Sequence, residues 1–214
     1  MTACRFTTAY RLTVRRAAAV AAAATTAALL AACGGGGDSP AAHAGHGTSA
    51  APSASSAGRA WNAADVSFAK GMIPHHRQAV AMAGLAATRA RSTEVKQLAA
   101  RIEKAQGPEI RTLSGWLTAW GEDVPEEGAT GGHAGHSAAG MMASEEMDAL
   151  EKSSGEAFDT AFLTMMVEHH EGAVAMARTE RSDGAHRPAK EMAGDIVTSQ
   201  SAEIRRMNAL LGAN

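Results

Sequence analysis

The stretch MIPHHRQAVAMA at residues 72–83 recurs as MVEHHEGAVAMA at residues 166–177, and the two copies align without a gap at a spacing of 94 residues. The same spacing relates acidic, aromatic and amide residues on either side: Asp65, Phe68, Gln106 and Glu109 recur as Asp159, Phe162, Gln200 and Glu203. Self-similarity at a fixed spacing means that one supersecondary unit is used twice. The repeated Met-x-x-His-His and Gln-x-x-Glu cores therefore predict a two-fold arrangement of side chains that can act as ligands.

Both copies carry apolar and small residues at alternating steps of three and four, which is the periodicity of one helix face. The first copy has one such stripe from Trp61 to Ala86 and another from Val95 to Trp120, and the second copy repeats both. No segment alternates with period two over a useful length. The sequence predicts an all-α protein, in which helical hairpins at residues 61–121 and 155–214 form one four-helix bundle. A flexible crossover at residues 122–154 joins them.

Helix ends and breaks are also predicted. Pro74 lies inside the first helix and cannot donate a hydrogen bond to Lys70, but its counterpart Glu168 is a good helix former and predicts that the helix continues. Gly121 is typical of a helix stop, and Gly184 breaks the chain between the last two helices.

The first 32 residues are typical of an export signal. Arginines precede an alanine-rich run at residues 17–30, which is too short to span a bilayer stably. The run leads into LAAC at residues 30–33, which resembles a bacterial lipobox, so we expect cleavage before Cys33 and attachment of lipid to it. A plain secretory signal that is cut nearby is the alternative. We expect an extracytoplasmic protein, on the cell surface or in the periplasm, that meets the membrane only through this anchor.

Residues 33–60 consist mostly of Gly, Ala, Ser, Pro and His, which predicts a flexible tether without a core. Loss of the signal would remove four arginines and no acidic residue, so the formal net charge would change from −2 to −6. An acidic surface argues against nucleic acid as a partner. With Cys4 removed and Cys33 lipidated, no disulfide can form, and packing alone must stabilise the fold.

The predicted bundle places polar residues at one level. His75 and His169 lie at the midpoints of their helices, and Glu109 and Glu203 lie near the midpoints of theirs. Because midpoints share a layer, all four helices offer polar groups to one central slab. Burying unpaired polar groups costs several kcal/mol, so the slab must be satisfied internally or filled by a ligand.

Methionine and histidine in this slab favour a soft metal. Met72 and His75 lie about 4.5 Å apart along the helix axis, so both can reach one ion, with Met166 and His169 supplying the other half. Thioethers and imidazoles favour copper, especially Cu(I), over magnesium, calcium or manganese, and another transition metal is the next choice. The alternative is that the imidazoles bond to the two glutamates while the methionines fill the core.

The neighbouring residues have open roles. His76 and His170 lie one position off the stripe, where they can serve a second ion, a hydrogen bond or an entrance. Glu109 and Glu203 are expected to orient the imidazoles through the other ring nitrogen, or else to bind a hard metal directly.

Two further pairs of residues are expected to be structural. Met82 and Met176 lie about 10.5 Å along the axis from the central histidines, so we expect them to pack against aromatic residues. Asp65 and Asp159 lie near helix starts, where capping or an ion pair with arginine is expected.

The flexible segments carry their own histidines. His43-Ala-Gly-His46 lies in the tether and His133-Ala-Gly-His136 in the crossover. Histidine in such a context cannot serve a core, so weak and unselective metal capture is expected, with compositional drift as the alternative.

With its duplicated cores, each followed by Ala-Val-Ala-Met-Ala, the chain resembles a bacterial family, the domain-of-unknown-function family numbered 305, over about residues 61–214. The resemblance implies a ferritin-like four-helix bundle that is exported, and some members bind copper in the periplasm. It implies no activity, because the family as a whole has none assigned. The positions that it marks are Met72, His75, His76, Met166, His169 and His170.

Three functions compete. The first is an extracytoplasmic copper-binding lipoprotein that sequesters the ion or passes it to a delivery protein. The second is a metal-free helical module that binds a protein or small molecule. The third, a carboxylate-bridged di-metal oxidase, is disfavoured because Met72 and Met166 stand where that site needs glutamate. We expect no enzyme, since the sequence has no cysteine nucleophile outside the signal and lipobox, no glycine-rich phosphate loop and no haem-attachment motif.

Overall fold

The computed structural model describes residues 60–127 and 140–212. Its helices are α1 (Ala63–Arg89), α2 (Thr93–Trp120), α3 (Ser144–Lys152), α4 (Gly155–Asp183) and α5 (Arg187–Gly212). The predicted all-α fold is confirmed, since the described part of the chain contains no strand and only one isolated bridge, between Ala90 and Gly155. The four long helices form two hairpins, α1–α2 and α4–α5. None of the described helices combines the length and the apolar character that crossing a membrane requires.

Local capping motifs set the ends of the long helices. The side chain of Asn62 accepts hydrogen bonds from the backbone N–H groups of Ala64 and Asp65, and the carboxylate of Asp65 accepts one from the N–H of Asn62 at 2.6 Å. This reciprocal pair starts α1. At the far end of α2, Gly121 adopts the left-handed conformation with φ of 74°, so the predicted stop is confirmed.

Prolines fit these helices without breaking them. α1 runs without interruption through Pro74, as its counterpart Glu168 indicated. α4 ends at Asp183, just before Gly184, and Pro188 is the second residue of α5, where a missing N–H costs no intrahelical hydrogen bond.

The two central helices are α1 and α4. α1 packs against α2 and α4, and α4 packs against α5. Two apolar clusters fill the interior. Met82 is buried in the same cluster as Phe162, and Met176 packs against the cluster that contains Phe68, so the predicted methionine–aromatic packing is confirmed.

Each hairpin also holds the loop of the other. The bonds are made by backbone N–H groups at the starts of α5 and α2: Asp65 accepts from Ala185 and His186 at 3.1 and 2.8 Å, and Asp159 accepts from Arg91 and Ser92 at 3.1 and 2.8 Å. A carboxylate at a helix start satisfies free N–H groups and complements the helix dipole. The predicted capping role is confirmed, and it extends to the helices of the opposite hairpin.

The crossover contains a helix that the sequence did not predict. The nine residues of α3 have one buried side chain, Leu150, and the helix contacts α1 and α4. A segment of fewer than three turns has too few apolar residues for its periodicity to stand out. α3 therefore occupies part of the crossover that was predicted to be flexible.

Candidate metal centre

The midpoints of α1 and α4 meet at a pair of imidazoles. Because Asp65 contacts the end of the α4–α5 loop and Asp159 contacts residues 91–92, α1 and α4 run antiparallel. His75 and His169 are both fully buried, and their ring centroids lie 3.7 Å apart at an interplanar angle of 42°. The predicted meeting of the two helix midpoints in one layer is thus observed.

Burial disfavours the charged form of His169. It lowers the pKa of His169 well below the usual range, and the neighbouring His75, His170 and His76 rings lower it further. A neutral imidazole is the form that binds a metal ion, whereas an imidazolium has no free lone pair.

Each glutamate of the layer bonds to the second histidine of a pair. The Nε2 atom of His76 lies 2.7 Å from Oε2 of Glu109, and the Nε2 atom of His170 lies 2.8 Å from Oε2 of Glu203. Both histidine side chains are fully buried, while the glutamates reach the surface with 23% and 22% of their side chains exposed. Next to an ionised carboxylate, which can only accept, Nε2 is the donor, and a neutral ring in that tautomer has its lone pair on Nδ1.

Four further buried polar atoms of the layer have no hydrogen-bond partner among the described residues. The Nδ1 atoms of His76 and His170 and the side-chain oxygens of Gln106 and Gln200 are buried without a hydrogen bond. Each such atom costs free energy of roughly 1–3 kcal/mol when left unpaired, so an unpaired set of this size requires an explanation.

The two methionines of the motif flank the imidazoles from opposite sides. Met72 and Met166 are fully buried, but Met72 belongs to the apolar cluster that contains Phe68, and Met166 belongs to the one that contains Phe162. Each methionine lies about one turn before the first histidine of its own motif, so in the antiparallel pair α1–α4 one thioether lies on either side of the imidazole level along the helix axes.

Carboxylates do not build a metal site by themselves. In residues 60–127 and 140–212, no three His, Cys, Asp or Glu side chains form a group that is ready to hold a metal ion. Other predicted site residues lie outside the described residues: Cys33, His43, His46, His133 and His136.

Sequence reasoning missed a buried acid at one end of the bundle. Glu180 is 1% exposed, and burial together with the nearby carboxylate of Asp65 raises its pKa to about 8. Its counterpart in the first hairpin is Ala86, on the buried stripe. The sequence did contain a signal for this buried acid, because the second copy has a glutamate at a position where the first copy has an alanine.

The fold and the layer define a class of protein: an all-α bundle, made from a duplicated hairpin, with buried histidines and methionines at its centre. The chain belongs to the family described as Domain of unknown function (DUF305), whose model matches residues 65–211.

Solved structures share this fold. A DUF305 protein from Streptomyces coelicolor is 33% identical, with a TM-score of 0.64, covering 70% of this chain and 93% of that chain. A DUF305 fragment from Deinococcus radiodurans is 31% identical, with a TM-score of 0.64, covering 72% and 98%. CopM in a Cu(II)-bound form is 34% identical, with a TM-score of 0.61, covering 70% and 96%, and similar structures include its Cu(I)-bound, Ag-bound and apo forms. Among curated proteins, no sequence matches this chain.

Proposed function

We propose that this protein is an extracytoplasmic metal-binding lipoprotein that sequesters or transfers copper, as Cu(I), through the central layer. One observation carries the proposal. His76 and His170 are buried and related by the repeat, the Nε2 atom of each lies within hydrogen-bond distance of a glutamate carboxylate, and the Nδ1 atom of each has no hydrogen-bond partner among the described residues. A histidine whose second ring nitrogen is held by a carboxylate is the usual arrangement at protein metal ligands.

The rest of the layer supplies soft donors. Met72 and Met166 are fully buried, each about one turn from the fully buried His75 or His169 of its own helix, and thioether and imidazole ligands select Cu(I) over hard cations. CopM, which shares the fold, has structures in Cu(I)-, Cu(II)- and Ag-bound forms. Silver and Cu(I) are both soft ions of single charge, which agrees with this donor set.

The sequence before Cys33 supports the proposed cellular setting. The arginines and the LAAC sequence before Cys33 support export and lipid anchoring, and the Streptomyces coelicolor relative is provisionally described as secreted. In this setting, histidines 43, 46, 133 and 136 capture metal weakly and the buried layer holds it. A protein partner that accepts the ion completes the transfer function.

A metal-free helical module that binds a protein or small molecule is the second candidate. It is favoured by the absence, among the described residues, of a ready group of three His, Cys, Asp or Glu ligands. The two candidates differ in whether the purified protein takes up metal.

A competition titration decides between them. The chain from residue 33, with Cys33→Ser, is titrated with Cu(I), Ag(I), Cu(II) and Zn(II) against chelators of known affinity. We expect one tight Cu(I)- and Ag(I)-selective site, which His75→Ala combined with His169→Ala weakens by at least about 100-fold, because two of the buried ligands are lost. The matched control replaces all four tether and crossover histidines with alanine and retains the tight site. Loss of binding in the control instead would place the site outside the core.

A further inference from the structure

The described ends of the crossover are fastened to α1 at adjacent residues, directly after the first His-His pair. Arg77 donates to the backbone carbonyl oxygens of residues 125 and 126 at 2.7 and 2.9 Å. The amide of Gln78 binds the backbone of Met142 twice: Nε2 donates to its carbonyl oxygen at 2.9 Å, and Oε1 accepts from its N–H at 2.8 Å. The chain therefore leaves and rejoins the bundle beside the imidazole layer.

Residues 140–143 form a strap on the surface of α1 and α4. Gly140 has φ of 81°, and a Cβ atom added there would lie 2.6 Å from the carbonyl oxygen of Glu168 and 3.1 Å from that of His169. Only glycine allows this backbone conformation and this close an approach to α4. Two residues later, Met142 is buried in the same apolar cluster as Met166.

The strap crosses the level of the imidazoles. Because α1 and α4 are antiparallel and His75 meets His169, Gln78 lies about one turn to one side of the layer and Gly172 about one turn to the other. The strap contacts both: Gln78 binds Met142, and the Cβ position of Gly140 lies 3.1 Å from Cα of Gly172. It therefore covers the layer where the two central helices meet.

The repeat is broken at the two residues that touch the strap. Gln78 and Gly172 occupy equivalent positions of the two copies, within otherwise similar motifs. The strap occurs once, so it cannot make the same contact with both copies of the repeat. The first copy binds it through the side chain of Gln78, and the second copy has Gly172, which the strap approaches closely.

The strap differs from the other covers of the layer in how it is held. On the α2 and α5 sides, whole helices close the layer, and their glutamates bond to His76 and His170. Residues 140–142 of the strap lie outside the helices, and they are held to the central helices by the Gln78 amide, the buried Met142 and the close approach of Gly140 to α4, while Ala143 bonds to the first turn of α3. Segments with few stabilising contacts open most readily.

We propose that the strap is the gate through which a metal ion exchanges with the buried layer, and that Gln78 is its latch. This inference rests on the proposed function. Opening of the strap exposes the layer between α1 and α4 without unfolding either helix. Gln78 is a positioning residue, because both the Nε2 and the Oε1 atoms of its amide bind the strap backbone.

Exchange kinetics test the gate. The chain from residue 33 with Cys33→Ser is loaded with Cu(I), and transfer to a chromophoric Cu(I) chelator is followed in stopped flow. We expect Gln78→Ala and Gly140→Ala each to accelerate transfer by about ten-fold, because two hydrogen bonds or a close backbone contact are lost. The equilibrium affinity should stay within about two-fold, because neither change removes a ligand. The matched control, Gln97→Ala on the exposed face of α2, should leave both quantities unchanged.

Oxidation of the metal-free protein separates this inference from the metal site. In dilute hydrogen peroxide, followed by mass spectrometry of peptides, Met142 and Met166 should oxidise about ten-fold faster in Gln78→Ala and Gly140→Ala than in wild type. If wild type binds Cu(I) but both variants match it in transfer and in oxidation, the gate is refuted and the site stands. If wild type takes up neither Cu(I) nor Ag(I), the metal site is refuted, and faster oxidation in the variants would then show only that the strap seals an apolar core.

Discussion

The hairpins α1–α2 and α4–α5 place the same polar contact at the centre of the bundle, His76 with Glu109 at 2.7 Å and His170 with Glu203 at 2.8 Å. Towards the ends of the central helices the two hairpins differ. Where the first hairpin has Ala86, the second has the buried Glu180. The two copies therefore keep the same residues where both contribute to the central layer. They differ where a contact is made on one side of the bundle only, as at Glu180.

The divergent corner contains two carboxyl groups. Burial raises the pKa of Asp65, but hydrogen bonds from the backbone of Asn62, His186 and Ala185 outweigh burial, so the pKa is lowered. For Glu180, burial comes first and the nearby carboxylate of Asp65 adds to it, which raises the pKa to about 8. Near neutral pH, Asp65 is therefore ionised while the neighbouring Glu180 keeps its proton, so that two like charges do not share this buried corner.

The largest expected effect comes from this corner. Because the pKa of Glu180 is higher in the folded state than the ordinary 4.5, its contribution to stability is full below pH 4.5 and is lost as the pH rises through about 8. We expect the free energy of unfolding to fall by about 2–4 kcal/mol between pH 5 and pH 9 on account of this group. Urea unfolding across this range measures the fall.

Two variants isolate Glu180 in that experiment. Glu180→Gln retains a donor towards Asp65 but cannot titrate, and Glu180→Ala makes the second hairpin resemble the first at Ala86; both should remove this part of the pH dependence. Glu171→Ala, an exposed acid on the same helix, is the matched control. An equal fall in wild type and in Glu180→Gln would show that the corner does not hold a proton.

An intermediate effect is expected from the paired loop caps, in which the two halves resemble each other. Asp159→Ala leaves the N–H groups of Arg91 and Ser92 without their acceptor, and we expect it to lower the free energy of unfolding by about 2 kcal/mol. Asp159→Asn retains one acceptor oxygen and should cost less. Urea denaturation reports both values, and Asp148→Ala, an exposed aspartate of α3, serves as the control. Equal stabilities of Asp159→Ala and Asp148→Ala would contradict the capping role.

The smallest expected effect is on Cu(I) affinity, and it is measured by changing the glutamate of each half of the layer in turn. We expect Glu109→Gln and Glu203→Gln each to weaken Cu(I) binding by about ten-fold, which is about 1.4 kcal/mol, because the carboxylate no longer holds the imidazole in its ligating form. Chelator competition provides the affinities. Equal losses are expected from the near-equal distances, and a loss confined to one variant would show that a single hairpin binds the ion.

Much of the fold was predictable because its signals are local and repeated. The steps of three and four indicated four long helices, and Glu168 showed that the helix of Pro74 would continue. α3 was not predictable, because its nine residues bury one side chain, and the packing that holds it comes from α1 and α4. Glu180 was missed for a related reason: its partner Asp65 belongs to the other hairpin, and only the packed bundle brings them together.

By itself, the sequence determined the duplication, the helices and the six motif residues of the central layer, because helical periodicity and a constant spacing of 94 residues are properties of the chain alone. Only the tertiary structure decided that His76 and His170, rather than their neighbours, bond to the glutamates, and that His75 and His169 lie 3.7 Å apart. Those contacts depend on the register between helices that are distant in sequence, and that register is set by how complete side chains pack in three dimensions.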